Sequence, residues 1–445
     1  MPFQGMHRFH WGVLVALLLL GALLHGLRWQ PAQAESGDSP SYLIAAHALL
    51  HGHATALDGA PPAIGREPAY PLLLAGLMAA APGFRDFAPA CVGDRPCPAS
   101  LYLAPQIANL VLVALAALAL LQAALWLGLA PGAALIAPGY LLLNGEAVRW
   151  WVYVMSDPLA LCLAALAILA TQALLRRPSA GAGALAGLVC AGFALTKYLF
   201  APLAPLLGIG LLCAGRRWRA AALSLLATSV FLLGGWALAG RSDGGDSRAG
   251  ITLHTREVFN HMSGAQYAAA FVYWTRGFGD DLARRWFAPE TVAPFDPGRP
   301  GGFYDDGQFG RDRRVAALQA SGVDRADAIR AADGETLRAV LERPLTHLAT
   351  TVPLFWRGLW IDEFIVLGLP CLAVALHLAW RDRRWDLALA LAPGVYSLLA
   401  YALISLNIPR YQMTALPSLA LATACIGGLL FDRWRARFIV VKHGC

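Results

Sequence analysis

The chain has 445 residues, 58% of them hydrophobic and only 14% charged, with a mean hydropathy of +0.53. Soluble domains carry about 25% charged residues. Here the apolar residues also come in long runs, which excludes a soluble globular protein and indicates a polytopic membrane protein. The net charge of +7 comes from arginines clustered in short loops between those runs; the positive-inside effect accounts for it without nucleic acid.

Trp11 to Leu24 is the first apolar run. It reads either as a retained signal-anchor helix with its N-terminus inside, or as a signal peptide cleaved near Ala32-Gln-Ala34. The many later spans favour retention, and either reading puts Glu35 and Asp38 outside. Pro40 to Gly52 has helical spacing but is too short and polar to span, so an interfacial helix is expected. Tyr70 to Ala81 is apolar and also short, and reads as a juxtamembrane helix on the same outer face. Cys91 and Cys97 lie in a polar loop whose spacing permits a disulfide without requiring one.

With the first run, ten spans are expected. The others lie at about 103–124, 128–145, 156–175, 180–197, 198–214, 219–240, 363–380, 386–405 and 411–431. This count puts Arg176-Arg177, Arg216-Arg217, Arg383-Arg384 and Arg433 on one side, the inside, together with both termini. Three domains follow: an N-terminal membrane module over 1–240, a large outer loop over 241–362, and the last spans with a basic tail over 363–445. Within the loop, short helices are expected at about 311–321, 324–333 and 335–343, and an amphipathic interfacial helix over Pro344 to Trp360.

Three stretches then align with a known pattern. They are Asp38-Ser-Pro-Ser-Tyr42 with Arg66-Glu-Pro-Ala-Tyr70-Pro71, Ser156-Asp157-Pro, and Arg410-Tyr411 with Pro417. In order and placement they resemble polytopic glycosyltransferases of the GT-C fold, the protein mannosyltransferase-like and aminoarabinose-transferase-like enzymes. The resemblance implies an all-α membrane protein of about ten transmembrane helices, with interfacial helices in the first outer loop and a large outer loop before the last spans. It also implies inverting transfer of a sugar from a polyprenyl-phosphate carrier to a lipid, glycan or protein acceptor, in the inner membrane of the cell and on its extracytoplasmic face. Many relatives have an acidic residue directly after the first Asp; position 39 is Ser, leaving Glu35 or Glu67 as substitutes.

Because a phosphate leaves readily, such a reaction needs one carboxylate base and cations for the phosphate, unlike the two carboxylates of glycoside hydrolysis. Asp38 is the candidate base, against its alternative as a helix N-cap. Arg66, Lys197 and Arg410 are the candidate phosphate ligands, against snorkelling to the interface. Tyr42, Tyr70 and Tyr411 would shape the pocket. Asp157 is a further substrate-binding candidate, against N-capping of its span. His47 and His51 share a helical face, but no carboxylate or Cys stands at a matching offset, and no cofactor is expected; the need for a divalent metal stays open. The rival reading is a transporter or flippase of envelope precursors, which predicts ionisable residues inside the spans; almost none lies away from the span ends.

Overall fold

The computed structural model describes residues 3, 5–29, 37–52, 67–91, 97–239 and 248–442. Arg66 and Glu35, singled out above, lie outside the described residues. The described secondary structure is all helical. In chain order the main helices are α1 Arg8–Arg28, α2 Ser39–Leu50, α3 Ala69–Ala80, α4 Leu103–Trp126, α5 Ile136–Leu142, α6 Gly145–Trp151, α7 Asp157–Arg176, α8 Ala180–Thr196, α9 Leu203–Cys213 and α10 Arg219–Ala239. They continue with α11 Arg248–Glu257, α12 Gly264–Tyr273, α13 Gly279–Trp286, α14 Phe303–Ala320, α15 Arg325–Glu342, α16 Pro344–Leu359, α17 Ile365–Arg381, α18 Trp385–Ile404 and α19 Leu416–Lys442.

Among the described residues, six helices are long and apolar enough to cross a membrane: Arg8–Arg28, Ala99–Trp126, Asp157–Arg176, Arg216–Leu238, Trp385–Ile404 and Pro409–Arg433. The other four expected spans fall on shorter apolar helices. The chain is an integral membrane protein. Its α1 shows why: Val15, Leu19, Leu23 and Leu27 stand exposed along its length, a face that only lipid or another apolar partner would cover.

One expected span differs. Residues 128–145 do not form one helix but break into Pro131–Ala134 and Ile136–Leu142, followed by α6. Asn144 starts α6 by accepting from the Ala147 amide at 2.9 Å. Asn144 and Tyr140 both donate to Asp362, which is fully buried just ahead of α17. Burial pushes the Asp362 carboxyl up to about 6. Asn144, expected at the end of this span, is therefore a helix start bound to a buried acceptor.

The chain divides into two compact units: the first comprises Met1–Ser242, Asp362–Tyr396 and Met413–Cys445, the second Asp243–Ile361 and Ser397–Gln412. In the first, α8 packs on α10 through small residues. A Cβ at Gly183 would sit 2.1 Å from the Ala221 carbonyl oxygen, and one at Gly187 2.5 Å from that of Leu225. Ser229 donates to the Gly187 carbonyl at 3.1 Å, closing the seam. Small residues let membrane helices approach in this way. Gly183→Val should force the pair apart and cost about 1–3 kcal/mol, read as a lower unfolding temperature in detergent; an unchanged temperature would contradict this packing.

Also in the first unit, α2 lies on α3 around Tyr42, Leu43, Ala46, Tyr70, Leu74 and Met78. Cys91 and Cys97 form a disulfide, with Cα atoms 5.1 Å apart, and Cys97 belongs to the same core. At another part of this unit, Arg176 donates to the Trp126 carbonyl at 2.6 Å and Arg384 to that of Leu127 at 3.1 Å. Two of the basic clusters expected on one side thus meet at one turn.

In the second unit, α11, α14 and α15 pack together and α16 packs on α12. The helices expected at 324–333 and 335–343 are one, α15. Gly334 is exposed and costs the helix only about 1 kcal/mol, while Ala332 and Thr336 on either side of it are buried. Three helices, α11, α12 and α13, were not expected at all; α11 and α13 are mostly polar, and each of the three has ten residues or fewer.

Candidate functional site

In the first unit the site is built on the segment between α6 and α7. Asn109 of α4 donates to the carbonyls of Trp151 and Tyr153, both at 2.9 Å, and Gln106 donates to that of Val152. These two buried amides hold a non-helical stretch in place and so fix where α7 begins. Ser156 and Asp157, at that start, are buried. The Ser156 hydroxyl is 2.9 Å from the Tyr42 hydroxyl. Tyr42 is one turn into α2, so this contact ties the start of α2, where Asp38 stands, to the start of α7. Tyr70 meets Tyr42 edge to face, with ring centroids 5.3 Å apart.

Asp38 is half-buried and occupies the N-cap position of α2, but its side chain makes no capping hydrogen bond. Ser41 instead donates to the Asp38 carbonyl at 2.8 Å. The capping alternative for this carboxylate therefore finds no support in the geometry. Lys197 is the residue after α8, with extended backbone. Its ammonium lies 3.2 Å from an Asp157 oxygen, and both side chains are largely buried, 13% and 3% exposed. The two charges, read separately in the sequence as a phosphate ligand and a substrate-binding or capping carboxylate, form one ion pair.

The second unit holds Arg410 and Tyr411. Asn407, at φ 47°, turns the chain ahead of them. Its amide donates to the Leu354 carbonyl at 2.8 Å and its oxygen accepts from Gln412 at 2.6 Å. A Cβ on Gly358 would meet the Asn407 amide at 2.3 Å, so α16 must present glycine there. Arg410 is buried, with its guanidinium 5.6 Å from the Tyr411 ring centre, and Tyr411 stacks on Tyr401.

Sequence reasoning missed two arginines in this unit. Arg357 lies over Tyr304 at 4.7 Å and Trp274 at 5.3 Å and donates to the Leu406 carbonyl at 3.0 Å. Burial pulls its guanidinium down, and the phenols of Tyr304 and Tyr411 oppose this. Arg256 is fully buried and donates to the carbonyls of Ala402 and His347, to Asn260, and to Thr350 and Thr351, at 2.5–3.0 Å. Burial lowers it to about 10, so it stays charged at neutral pH. The signal that would have found Arg357 is a cation set among Phe355, Trp356 and Leu359 on an amphipathic helix; Arg256 sits in a polar stretch and gives none.

His347 completes that network. Its Nε2 donates to the Leu403 carbonyl at 2.8 Å and its Nδ1 accepts from Asn260 at 3.1 Å, an arrangement that needs the neutral ring. Burial, and then the Arg256 charge, hold its pKa below 6.5. The unfolded chain therefore takes up this proton first, and the stability His347 contributes is complete above about pH 6.5 and lost as pH falls through the folded value. The wild-type protein should lose more stability between pH 7 and 5 than His347→Gln does, in melting curves taken across that range; parallel curves would contradict this.

His47 and His51 stack at 4.2 Å between ring centroids. Among the described residues, no three His, Cys, Asp or Glu side chains converge as a metal site would require.

No known protein-family profile matches the chain, and no curated protein matches it in sequence. Solved structures do. The oligosaccharyltransferase of Archaeoglobus fulgidus, tethered to an acceptor peptide containing the NVT sequon, matches with a TM-score of 0.50 at 13% identity, over 96% of this chain and 50% of that one. Its apo form matches with a TM-score of 0.50 at 12% identity, over 97% and 52%. ArnT from Cupriavidus metallidurans bound to undecaprenyl phosphate matches more loosely, with a TM-score of 0.39 at 12% identity, over 93% and 77%. The chain spans about half the length of the archaeal chains it resembles. At this identity the likeness defines the fold, and the fold is that of GT-C glycosyltransferases.

Proposed function

We propose that the protein is an inverting glycosyltransferase that takes a sugar from a polyprenyl-phosphate carrier to an acceptor on the extracytoplasmic face of the membrane. The observation that carries the reading is the junction of α2 with α7. Tyr42 and Ser156 bring Asp38's helix start to the buried Asp157–Lys197 pair, within a GT-C fold.

In this reading Asp38 takes the proton from the acceptor hydroxyl as that oxygen attacks the anomeric carbon; the C–O bond to the carrier breaks and polyprenyl phosphate leaves with the electron pair. A single displacement inverts the anomeric centre. Asp157 holds the Lys197 ammonium at a fixed place, and the proposed role of that positive charge is to stabilise the leaving phosphate. Arg66 is the further proposed phosphate ligand, and Arg410 keeps that proposed role on the sequence pattern. Tyr42, Tyr70 and Tyr411 are the proposed pocket walls. The experiment is mass spectrometry of envelope lipids and glycans from cells with and without the gene. Loss of one sugar from one acceptor is expected and would name both. An unchanged glycome, with an envelope precursor accumulating inside the cell, would instead indicate transport.

A further inference from the structure

The second unit contains a cavity that the proposed chemistry does not use. It lies where α11, α14 and α15 meet, has a volume of about 230 Å³, and is lined by His254, Glu257, His261, Arg311, Arg314 and Thr336, among others. Its walls are held rigid. Arg311 is 4% exposed and grips Asp333 with two hydrogen bonds, the shorter at 2.7 Å. Arg314 grips Glu335 the same way, at 2.7 and 2.9 Å. His254 donates through Nε2 to the Asp306 carbonyl at 3.1 Å, and its Nδ1 faces the Thr336 hydroxyl at 3.4 Å. Two glycines make room for these groups. A Cβ on Gly250 would lie 2.2 Å from the Asp333 carboxylate, and one on Gly310 2.9 Å from the His254 ring.

The charge selects the ligand. Glu257 and Glu335 line it beside Arg311 and Arg314, and each guanidinium already has its carboxylate, Asp333 for Arg311 and Glu335 for Arg314. A phosphate or carboxylate ligand would find no uncompensated cation. What the walls offer is donors and acceptors side by side: the second Nη of Arg314, the lone pairs of Glu335, and the Glu257 oxygen left over after His261 has bonded the other at 3.0 Å. Vicinal hydroxyls both donate and accept and match such an edge. Ala332 and Ala339 supply a small apolar wall for the C–H face of a ring. The volume is below the ~300–1,000 Å³ of clefts for drug-sized ligands, which limits the occupant to one ring-sized unit.

We propose that this cavity of the second unit binds a single uncharged sugar residue. Calling that residue part of the acceptor glycan rests on the glycosyltransferase reading; binding itself does not. The test is saturation-transfer NMR on the full chain in detergent, with methyl glycosides of common neutral hexoses as probes and inorganic phosphate as competitor. Saturable binding of at least one glycoside is expected, with no competition by phosphate. Ala339→Trp, which fills the cavity from a half-buried position, should abolish it. Glu257→Gln should weaken it about tenfold, as expected for one hydrogen bond to a charged group. Asp38→Asn, which disables transfer if the proposed function holds and leaves the protein folded, should bind the glycoside as the wild type does. The proposal falls if no glycoside binds, if Ala339→Trp binds unchanged, or if phosphate displaces the sugar. Binding retained in a protein that transfers nothing would leave this site standing and remove the enzymatic reading.

Discussion

Asp38→Asn should lower sugar transfer by roughly 10²–10⁴-fold, the usual contribution of a general base, while leaving the protein folded. The substitution keeps size and shape and removes only the charge. Because the Asp38 side chain makes no capping hydrogen bond to α2, the helix start does not depend on it. Transfer and stability should therefore separate at this residue. They should not separate at Asp157. Its carboxylate faces the largely buried Lys197 ammonium, and removing one partner of a buried pair leaves the other charge uncompensated, at a cost of about 3–5 kcal/mol. Asp157→Asn should lose both activity and stability, and Lys197→Met added to it should recover stability without activity. Initial rates of transfer, measured beside melting curves of the same preparations, check all three. An Asp38→Asn protein that is as active as the wild type would end its assignment as base.

An effect on stability as large as that at Asp157 is expected at Arg256. Its guanidinium serves two carbonyls, Asn260 and two threonine hydroxyls from the interior of the second unit. Arg256→Leu removes the donor to the Ala402 carbonyl and to the two threonine oxygens, while Asn260 and the His347 carbonyl keep bonds from Thr350 and Thr351, and each unsatisfied buried group costs about 1–3 kcal/mol. A total loss of about 3–5 kcal/mol is expected, a large share of the 5–15 kcal/mol that typically separates folded from unfolded domains. Arg256→Lys supplies one compact ammonium in place of a fork and should recover only part of it. Arg314→Leu is the contrast. That residue is 48% exposed and paired with an exposed Glu335, and such pairs are worth about 0–1 kcal/mol. Chemical denaturation of the three variants, with limited proteolysis between α10 and α17, gives the order. Arg314→Leu proving as damaging as Arg256→Leu would contradict it.

The membrane helices were legible because apolar length is a strong, local signal. Ten runs were read as spans and each lands on apolar helical structure, 128–145 on two short helices. The broken span at 128–145 was not legible, since nothing near Tyr140 and Asn144 shows that their partner is Asp362, more than two hundred residues on. For the same reason Asp157 and Lys197 were each visible as charges at span ends, but their pairing was not. Arg256 escaped notice because Thr255-Arg256-Glu257 has the composition of a surface turn; its burial is decided by α16 and α18, which contribute Thr350 and Ala402. Gly334 misled in the other direction, since a glycine between polar residues reads as a break, whereas α15 is held on both sides of it by buried Ala332 and Thr336.

The account stands on one aspartate acting on a lipid-borne donor, and the most direct measurement is release of polyprenyl phosphate. The purified protein in proteoliposomes, given a polyprenyl-phosphate sugar and an envelope extract as acceptor source, should release free polyprenyl phosphate in step with inverted glycoside product. The Asp38→Asn protein should release almost none. Release at the same rate from both proteins, or movement of intact donor across the bilayer with no release from either, would contradict the account.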